Sequence, residues 1–428
     1  MANLLLERLR ETDKDGLFEQ NCSFVTYPTG VPTLDYVLGY KLISRDDNEN
    51  ILATHDSLGV AGGSYVTIIG NSGTAKTALA YKMAGNIVKP FDNGFVIFFD
   101  IENAMNVTRC KTLTGFTNKE MKEKVIIKGG KTYIENISDT ILDICNEKAK
   151  HKKDYLYTTD FKDEFGENIT IYQPTVLVID SIPQLCREPE KKTVKAKKGS
   201  GEEDYEIEDL SLGKNTYYMT VAKDLTEFYV KFIGKLKEYN ITVIAVNHIR
   251  KNINMDVFAK PSEMLYLKQD ERIPGGKASV YYASTLIKHT AIGKSKATLE
   301  EDGYSGFAVK AEIIKSRTNI SGVTVPMVYD QNTGFSEERT LLYYAKEELG
   351  ILNGGRKNSR YLGNRDDVRF NELDIVNEFK RPEVREVFEE LVYPHLEEMI
   401  YSSDDIGELI NKKDEGLTED QMQRIFAD

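Results

Sequence analysis

Cysteine and histidine are scarce and scattered in this sequence of 428 residues, which contains four cysteines and five histidines. The cysteines form no C-x-x-C pair, so neither a disulfide framework nor a zinc site is expected. Thiols without such a framework are typical of a reducing compartment, and we expect a cytoplasmic protein. No apolar run has the length of a membrane span, and the first residues do not resemble a signal peptide, so no membrane association is expected.

Basic residues are also outnumbered: 56 Lys and Arg against 68 Asp and Glu give a net charge of −12. This balance argues against a uniformly basic nucleic-acid-binding protein, although a local basic surface can still attract DNA. The chain is longer than a single core usually supports. We therefore expect one large domain with appended segments.

A strand, a loop of small residues and a helix start follow one another at residues 65–77. The pattern matches the phosphate-binding motif G-x-x-x-x-G-K-[ST], except that Ala75 occupies the second glycine position. Gly73 is expected to make the turn in its place. Lys76 would contact the β- and γ-phosphates, and Thr77 would hold Mg²⁺. The predicted nucleotide-binding residues, here called the 70–77 loop, are Gly70, Asn71, Ser72, Gly73, Thr74, Ala75, Lys76 and Thr77.

Two later apolar runs, residues 95–99 and 175–179, predict central strands of a parallel sheet. The first is followed by Asp100 and Glu102, and the second by Asp180. A carboxylate at the end of such a strand, beside a phosphate loop, positions hydrated Mg²⁺. Asp180 is therefore the second predicted magnesium residue.

A third apolar run, residues 241–246, precedes His248, which either faces the γ-phosphate or is an ordinary histidine. Further strands are expected at about 125–128, 283–289, 307–315 and 322–329, the last three of them antiparallel. Helices are expected at about 137–148, 215–238 and 379–400. Lys315 and Arg317 project the same way from the end of one of these strands. They are either surface residues or fingers that reach the ATP of a neighbouring subunit.

Two segments carry basic residues suited to nucleic acid. Residues 187–209 have a basic half and an acidic half, and residues 250–276 interleave basic and aromatic residues. Residues 187–209 are either a solvated loop or a basic finger that meets a phosphate backbone. A loop as long as 250–276 is usually functional or disordered, and its basic and aromatic residues suit single-stranded nucleic acid. The candidate DNA-binding residues are Lys191, Lys192, Lys195, Lys197, Lys198, Arg250, Lys251, Lys260, Lys268, Arg272, Gly275 and Gly276.

Taken in order, these motifs resemble the RecA family of homologous-recombination ATPases, and within it the bacteriophage recombinases of the UvsX type. The segments that carry the resemblance are Thr29-Gly30, Leu34-Asp35, Leu38-Gly39, the 70–77 loop, residues 98–102, 178–181, 244–248, 275–277, 282–284 and 314–318. Together they span roughly residues 24–400. UvsX-type proteins also tolerate a non-glycine residue at the position of Ala75 and have histidine at that of His248.

The resemblance implies a RecA-like α/β core with a mostly parallel central sheet and a small C-terminal α/β domain. The implied divisions are a polymerisation segment at 1–23, the ATPase core at 24–335, the C-terminal domain at 336–400 and an acidic tail at 401–428. Residues 187–209 and 250–276 match the two DNA-binding loops of the family.

The resemblance also implies roles for individual residues. Glu102 would activate the attacking water, and His248 would sense the γ-phosphate and couple it to the second DNA-binding loop. Lys315 and Arg317 would act across the filament interface. Two further residues, Asn106 and Arg109, fall near the adenine-contact positions of the family.

The function implied is ATP- and Mg²⁺-dependent strand exchange by a helical filament on single-stranded DNA that pairs with homologous duplex DNA. Expected partners are further copies of the chain, with single-strand-binding and loader proteins as candidates. The main alternative is a hexameric helicase or translocase, which shares the same core, although the N-terminal region before this core is short. A third is a binding or scaffold protein without turnover, and only Ala75 supports it.

Overall fold

The computed structural model describes residues 25–46, 48, 50–163, 166–185, 191–194, 205–208, 216–251, 271–274 and 278–402. The predicted polymerisation segment at 1–23 lies outside these residues. So do residues 403–428 of the predicted acidic tail and most of the two predicted DNA-binding loops.

A nine-stranded, mostly parallel sheet forms the centre of the fold. Its strands, numbered in chain order, are β1 Tyr65–Gly70, β2 Phe95–Asp100, β3 Val125–Gly129, β4 Thr175–Asp180, β5 Ile241–His248, β6 Thr285–Ala297, β7 Gly306–Lys315, β8 Thr324–Asp330 and β9 Gly334–Phe335. Across the sheet they lie in the order β9-β8-β7-β6-β1-β5-β4-β2-β3. The strands from β6 to β3 are parallel, whereas β7, β8 and β9 run antiparallel to their neighbours. The predicted mixed α/β fold with a mostly parallel central sheet is confirmed.

One strand runs in the direction opposite to that predicted. The strand expected at 283–289 was predicted to extend the sheet antiparallel, but β6 pairs parallel with β1. A parallel connection needs a crossover of a dozen or more residues, and the segment between β5 and β6 is long enough to return the chain to the other end of the sheet.

Helices cover both faces of this sheet. Those of seven or more residues are α1 Pro32–Leu38, α2 Lys76–Val88, α3 Val107–Thr114, α4 Asn118–Lys124, α5 Ile134–Lys150, α6 Thr216–Glu238, α7 Glu337–Tyr343 and α8 Pro382–Leu391. Alternate strand residues face opposite sides, so Phe98 packs in the cluster that contains α2, and Phe99 in the cluster that contains α5 and α6. Burial on both faces explains why the central strands read as continuous apolar runs.

Smaller elements decorate this core. Short helical segments lie at Lys152–Tyr155, Ile182–Gln184, Ala278–Tyr281, Leu299–Asp302, Tyr344–Glu348, Glu372–Asp374, Ile375–Glu378 and Tyr393–Glu397. Peripheral strands pair Thr26–Tyr27 with Val60–Ala61, Tyr40–Arg45 with Ile51–Ser57 and Tyr401–Ser402, Leu156–Lys162 with Asn168–Tyr172, Lys191–Val194 with Tyr205–Glu208, Arg250–Lys251 with Glu271–Arg272, and Leu352–Arg356 with Ser359–Leu362. No helix among the described residues is both long and apolar enough to cross a bilayer.

A separate apolar cluster lies towards the C-terminus, between residues 341 and 396. The single helix predicted at 379–400 is wrong, because α8 ends at Leu391 and a second, short helix begins at Tyr393. Pro394 explains the break: its ring has no N–H to donate and clashes with the carbonyl four residues earlier.

The register of the parallel strands brings their carboxyl ends to one edge of the sheet. Gly70 of β1 pairs with His248 of β5, and Asp180 of β4 pairs with Asp100 of β2. Ligands of open α/β sheets bind outside this edge. The candidate site lies there.

Candidate nucleotide-binding site

The 70–77 loop leads from β1 into α2 and presents an exposed tip at residues 71–73. Thr74 Oγ1 and Lys76 Nζ both donate hydrogen bonds to the carbonyl oxygen of Asn71, at 2.9 Å and 2.6 Å. The loop therefore closes on itself, and the Lys76 side chain is held against the loop instead of extending into solvent.

Ala75 has a left-handed backbone, with φ 59° and ψ 25°. Glycine reaches this region freely, whereas a residue with a Cβ does so at a cost of roughly 1–2 kcal/mol. Gly73 also has a positive φ, of 75°. The prediction that Gly73 would make the turn in place of residue 75 is therefore wrong, because both residues turn.

Ala75 is also the N-cap residue of α2, and its methyl group makes no cap hydrogen bond. The first N–H groups of a helix have no partner within the helix. With no side-chain cap at residue 75, the start of α2 can offer these N–H groups, together with the positive end of the helix dipole, to an anion.

Thr77 and Asp180 meet at the start of α2, although they are far apart in sequence. Thr77 Oγ1 donates a hydrogen bond of 2.8 Å to Asp180 Oδ2. Burial raises the pKa of Asp180 to about 6; the Thr77 hydrogen bond and Lys76 oppose this rise, while Glu102 adds to it. Burial also lowers the pKa of Lys76 to about 8, against the opposing effect of Asp180 and Glu102. Both charged groups are poorly solvated, so a cation bound beside Asp180 and a polyanion bound beside Lys76 would stabilise their charged forms.

The Thr77–Asp180 pair fits a magnesium ion that arrives with a nucleotide. Magnesium usually keeps several waters and binds proteins through one or two carboxylates and the phosphates of its substrate. Within the described part of the chain, no group of three or more His, Cys, Asp or Glu side chains could hold a metal ion. The cation would therefore depend on phosphate and water for most of its ligands.

Glu102, Ser181 and His248 form the other side of the site. Ser181 Oγ donates a hydrogen bond of 2.7 Å to Glu102 Oε1, and the same oxygen lies 3.6 Å from His248 Nε2. The side chains of Glu102 and His248 are 32% and 27% exposed, so both can contact a ligand. Burial lowers the pKa of His248, and Lys76 lowers it further while Glu102 raises it. A neutral imidazole beside the carboxylate is therefore expected at neutral pH.

A tight turn at residues 100–105 aims Glu102. The Asp100 carboxylate accepts hydrogen bonds from the backbone N–H groups of Ala104 and Met105, at 3.1 Å and 2.8 Å. Asn103 has a φ of 51°, and its Oδ1 accepts a hydrogen bond of 2.6 Å from the N–H of Gly130. Sequence reasoning missed these supporting roles, although an asparagine soon after a strand end is a residue type that tolerates positive φ.

Asn106 and Arg109 lie at the start of α3, directly after this turn. Asn106 Oδ1 caps the helix by accepting a hydrogen bond of 3.1 Å from the N–H of Arg109. The Arg109 guanidinium donates to Tyr329 Oη at 2.7 Å and to the Asn332 carbonyl oxygen at 3.2 Å. The predicted adenine contacts therefore sit against the turn between β8 and β9, and the sequence analysis did not anticipate Tyr329.

Lys315 and Arg317 are not part of this constellation. Lys315 pairs with Leu286 near the start of β6, whereas His289 further along β6 pairs with Gly70. Because β7 is antiparallel, its end lies at the opposite edge of the sheet. There Lys315 Nζ donates a hydrogen bond of 2.6 Å to the Tyr281 carbonyl oxygen. Arg317 is exposed on the same surface.

The base of the predicted loop at 250–276 adjoins the 70–77 loop. The N–H of Ile249 donates to the Gly70 carbonyl oxygen at 3.1 Å, and Asn247 Nδ2 donates to that of Pro274 at 3.0 Å. Two basic residues of this base, Arg250 and Arg272, pair with each other across a short two-stranded ladder. Lys251 pairs with Glu271 in the same ladder.

The predicted loop at 187–209 contains a hairpin that pairs its basic half with its acidic half. Lys191 lies opposite Glu208, and Lys192 lies opposite Ile207. Over residues 187–209 eight acidic residues outnumber six basic ones, so the segment as a whole carries no net positive charge. The remaining candidate DNA-binding residues lie outside the described residues: Lys195, Lys197, Lys198, Lys260, Lys268, Gly275 and Gly276.

Comparison with known proteins does not identify the chain. No protein-family model matches it, and no curated protein matches it significantly.

Proposed function

We propose that this chain is a DNA-dependent ATPase with a RecA-like core that assembles on single-stranded DNA and exchanges strands with homologous duplex DNA. One observation carries the proposal. Residues from four strand ends meet at the carboxyl edge of the parallel sheet: Lys76 and Thr77 after β1, Glu102 after β2, Asp180 at the end of β4 and His248 at the end of β5.

The nucleotide part of the proposal assigns binding to the 70–77 loop and the first turn of α2. The N–H groups there hold the phosphates, and Lys76 neutralises their charge. Thr77 and Asp180 supply the protein ligands of Mg²⁺, which offsets charge on the phosphates. Glu102, aimed by the 100–105 turn and held by Ser181, orients and deprotonates the attacking water.

The assembly part of the proposal follows from the placement of Lys315 and Arg317. These cations lie at the edge opposite the 70–77 loop, so they reach a nucleotide only if copies stack with this edge of one against the site of the next. A head-to-tail interface of this kind is heterologous and generates filaments or rings.

The β3 strand offers a second place where copies of the chain can join. In the described part of the chain β3 is one of the two edge strands of the sheet, and its Ile126 and Ile127 side chains are 47% and 38% exposed. An exposed apolar edge strand is a template for an added strand from another chain. The apolar N-terminal segment of a neighbouring copy is the proposed occupant.

The DNA part of the proposal is supported by the coupling between the nucleotide site and the base of the loop at 250–276. Ile249 is hydrogen-bonded to Gly70, and Arg250 follows His248 by two residues. A change at the γ-phosphate that moves His248 would therefore move the base of a loop that carries basic residues.

A pairing assay tests the proposal. The full-length chain, with ATP and Mg²⁺ on single-stranded DNA, should form joint molecules with homologous duplex and none with heterologous duplex. The Lys76→Ala variant, as a control, should neither pair DNA nor form nucleotide-dependent filaments. Closed rings in electron micrographs, with strand unwinding in place of pairing, would overturn the recombinase assignment in favour of a helicase. ATP turnover by the unaltered chain no higher than that of Lys76→Ala would refute the proposed ATPase activity.

A further inference from the structure

His289 of β6 lies directly beneath the 70–77 loop. It pairs with Gly70 in register, and a Cβ on Gly70 would lie 2.6 Å from its backbone oxygen. The His289 side chain is 2% exposed, and its Nδ1 lies 3.0 Å from the carbonyl oxygen of Thr74. A carbonyl oxygen only accepts hydrogen bonds. Nδ1 therefore carries the proton and donates it to Thr74.

This hydrogen bond determines which way the peptide group between Thr74 and Ala75 faces. In a planar trans peptide the C=O and N–H vectors point in opposite directions. With the Thr74 carbonyl directed at His289, the Ala75 N–H is directed away from β6. That is the orientation a phosphate-binding loop requires of its backbone N–H groups.

Ala75 is also the position at which the loop is strained. Its φ of 59° is one that alanine adopts at a cost and glycine adopts freely. An external hydrogen bond to the preceding carbonyl is therefore more important for a loop with alanine at this position than for one with glycine.

Simple core packing does not account for His289. The Nε2 atom is buried and has no hydrogen-bond partner among the described residues. Burying an unsatisfied polar atom costs stability, and an apolar side chain would fill the space without this cost. Burial and the nearby Lys76 both disfavour the charged ring, and the pKa of His289 falls to about 4 although the Thr74 hydrogen bond opposes this. The ring is therefore a neutral donor at working pH.

We propose that His289 is a positioning residue for nucleotide binding, which holds the Thr74–Ala75 peptide in its phosphate-binding orientation and compensates for the missing glycine at position 75. The inference rests on the proposed binding of ATP by the 70–77 loop. It assigns His289 no contact with the nucleotide.

Three substitutions separate the hydrogen bond from the packing. The amide nitrogen of His289→Asn can occupy the place of Nδ1, whereas that of His289→Gln reaches the place of Nε2. His289→Leu has nearly the shape of the asparagine variant and no donor. Binding of a fluorescent ATP analogue with Mg²⁺ to the full-length protein should weaken about tenfold in His289→Leu and His289→Gln, and less than about threefold in His289→Asn.

A second substitution tests the compensation. In an Ala75→Gly background the loop needs less support, so His289→Leu should weaken binding about threefold or less. In steady-state hydrolysis the KM of His289→Leu should rise while kcat is largely kept, because the hydrogen bond acts on binding. Thermal unfolding of each variant monitors folding. If His289→Leu does not fold, the comparison of His289→Asn with His289→Gln carries the test.

The outcomes distinguish this inference from the proposed function. If the unaltered chain fails to bind the analogue, the nucleotide site itself is wrong. If the unaltered chain binds but the asparagine, glutamine and leucine variants weaken equally, the loss comes from packing and the positioning role is refuted. An unchanged effect of His289→Leu in the Ala75→Gly background would refute the link to position 75.

Discussion

Mixing two inactive variants tests whether Lys315 and Arg317 act on the nucleotide of a neighbouring copy. The first variant, Lys76→Ala, has a disabled nucleotide site and an intact cationic pair. The second, Lys315→Ala with Arg317→Ala, has an intact site and no cationic pair. Each alone should hydrolyse ATP at a small fraction of the normal rate, because fingers of this kind accelerate hydrolysis about 10³–10⁵-fold.

The geometry of the sheet excludes an effect of the cationic pair on the site of its own chain. Lys315 is level, through Leu286, with Thr67 of β1, three residues before Gly70, which is about 10 Å along the strand at roughly 3.3 Å per residue. Two strand spacings of about 4.8 Å also separate β7 from β1, so the backbone of Lys315 lies about 14 Å from Gly70, and Arg317 follows it away from the 70–77 loop. The Debye length is about 8 Å at physiological salt, so charges at this separation are largely screened.

Lys76→Ala forms no filament alone, but it can join a filament of the second variant, whose own sites bind nucleotide, and random co-assembly then sets the size of the recovery. An interface is active only when the copy that supplies the nucleotide site is the second variant and the neighbouring copy that supplies the cationic pair is the first variant. In an equal mixture each position is filled correctly about half of the time, so about a quarter of the interfaces should be active. Steady-state ATP hydrolysis on single-stranded DNA should therefore recover to about a quarter of the normal rate.

A matched control mixes Lys76→Ala with Glu102→Gln. Both substitutions disable the site of the copy that carries them, so no interface is restored and no recovery is expected. Recovery in the control, or activity of the first mixture no greater than the sum of its separate components, would refute the assignment of the cationic pair to the neighbouring site.

Two further predictions address the site and the core. Glu102→Gln should bind ATP and DNA normally but hydrolyse about 10²–10⁴-fold more slowly, and normal single-turnover hydrolysis would remove Glu102 from its role. Lys148 is buried, its ammonium donates to the carbonyl oxygens of Gln173 and Tyr239, and burial lowers its pKa to about 7. The unfolded chain keeps this proton up to the ordinary lysine range. The stability of the normal protein relative to Lys148→Met should therefore rise between about pH 7 and 10, by up to about 1.4 kcal/mol per pH unit. Parallel urea-unfolding curves across that range would contradict it.

The strands around the site could be predicted because their signals are local. The residues of β1, β2, β4 and β5 are continuous apolar runs, since each strand is buried on both faces, and each run stops where polar residues begin. Lys76, Thr77, Glu102, Asp180 and His248 all lie at or just beyond these stops. Because parallel strands end at a common edge, placing these residues at strand ends already implied that they lie near one another.

The break in the helix at Val392 also has a local signal in the sequence, which is Pro394. The apolar periodicity on both sides of the break obscured that signal. Local pattern also misled at Gly73. Its flexibility suggested that it would turn for Ala75, whereas the closed loop imposes a left-handed backbone on both residues.

Other features depend on the order and direction of strands, which short-range periodicity does not encode. The parallel entry of β6 beside β1 places His289 under Thr74, a contact between residues 215 positions apart. The antiparallel course of β7 places Lys315 and Arg317 at the far edge, and the end of β8 brings Tyr329 to Arg109. Such contacts form only when the whole sheet is assembled, because each joins two elements whose own sequences contain no information about the other.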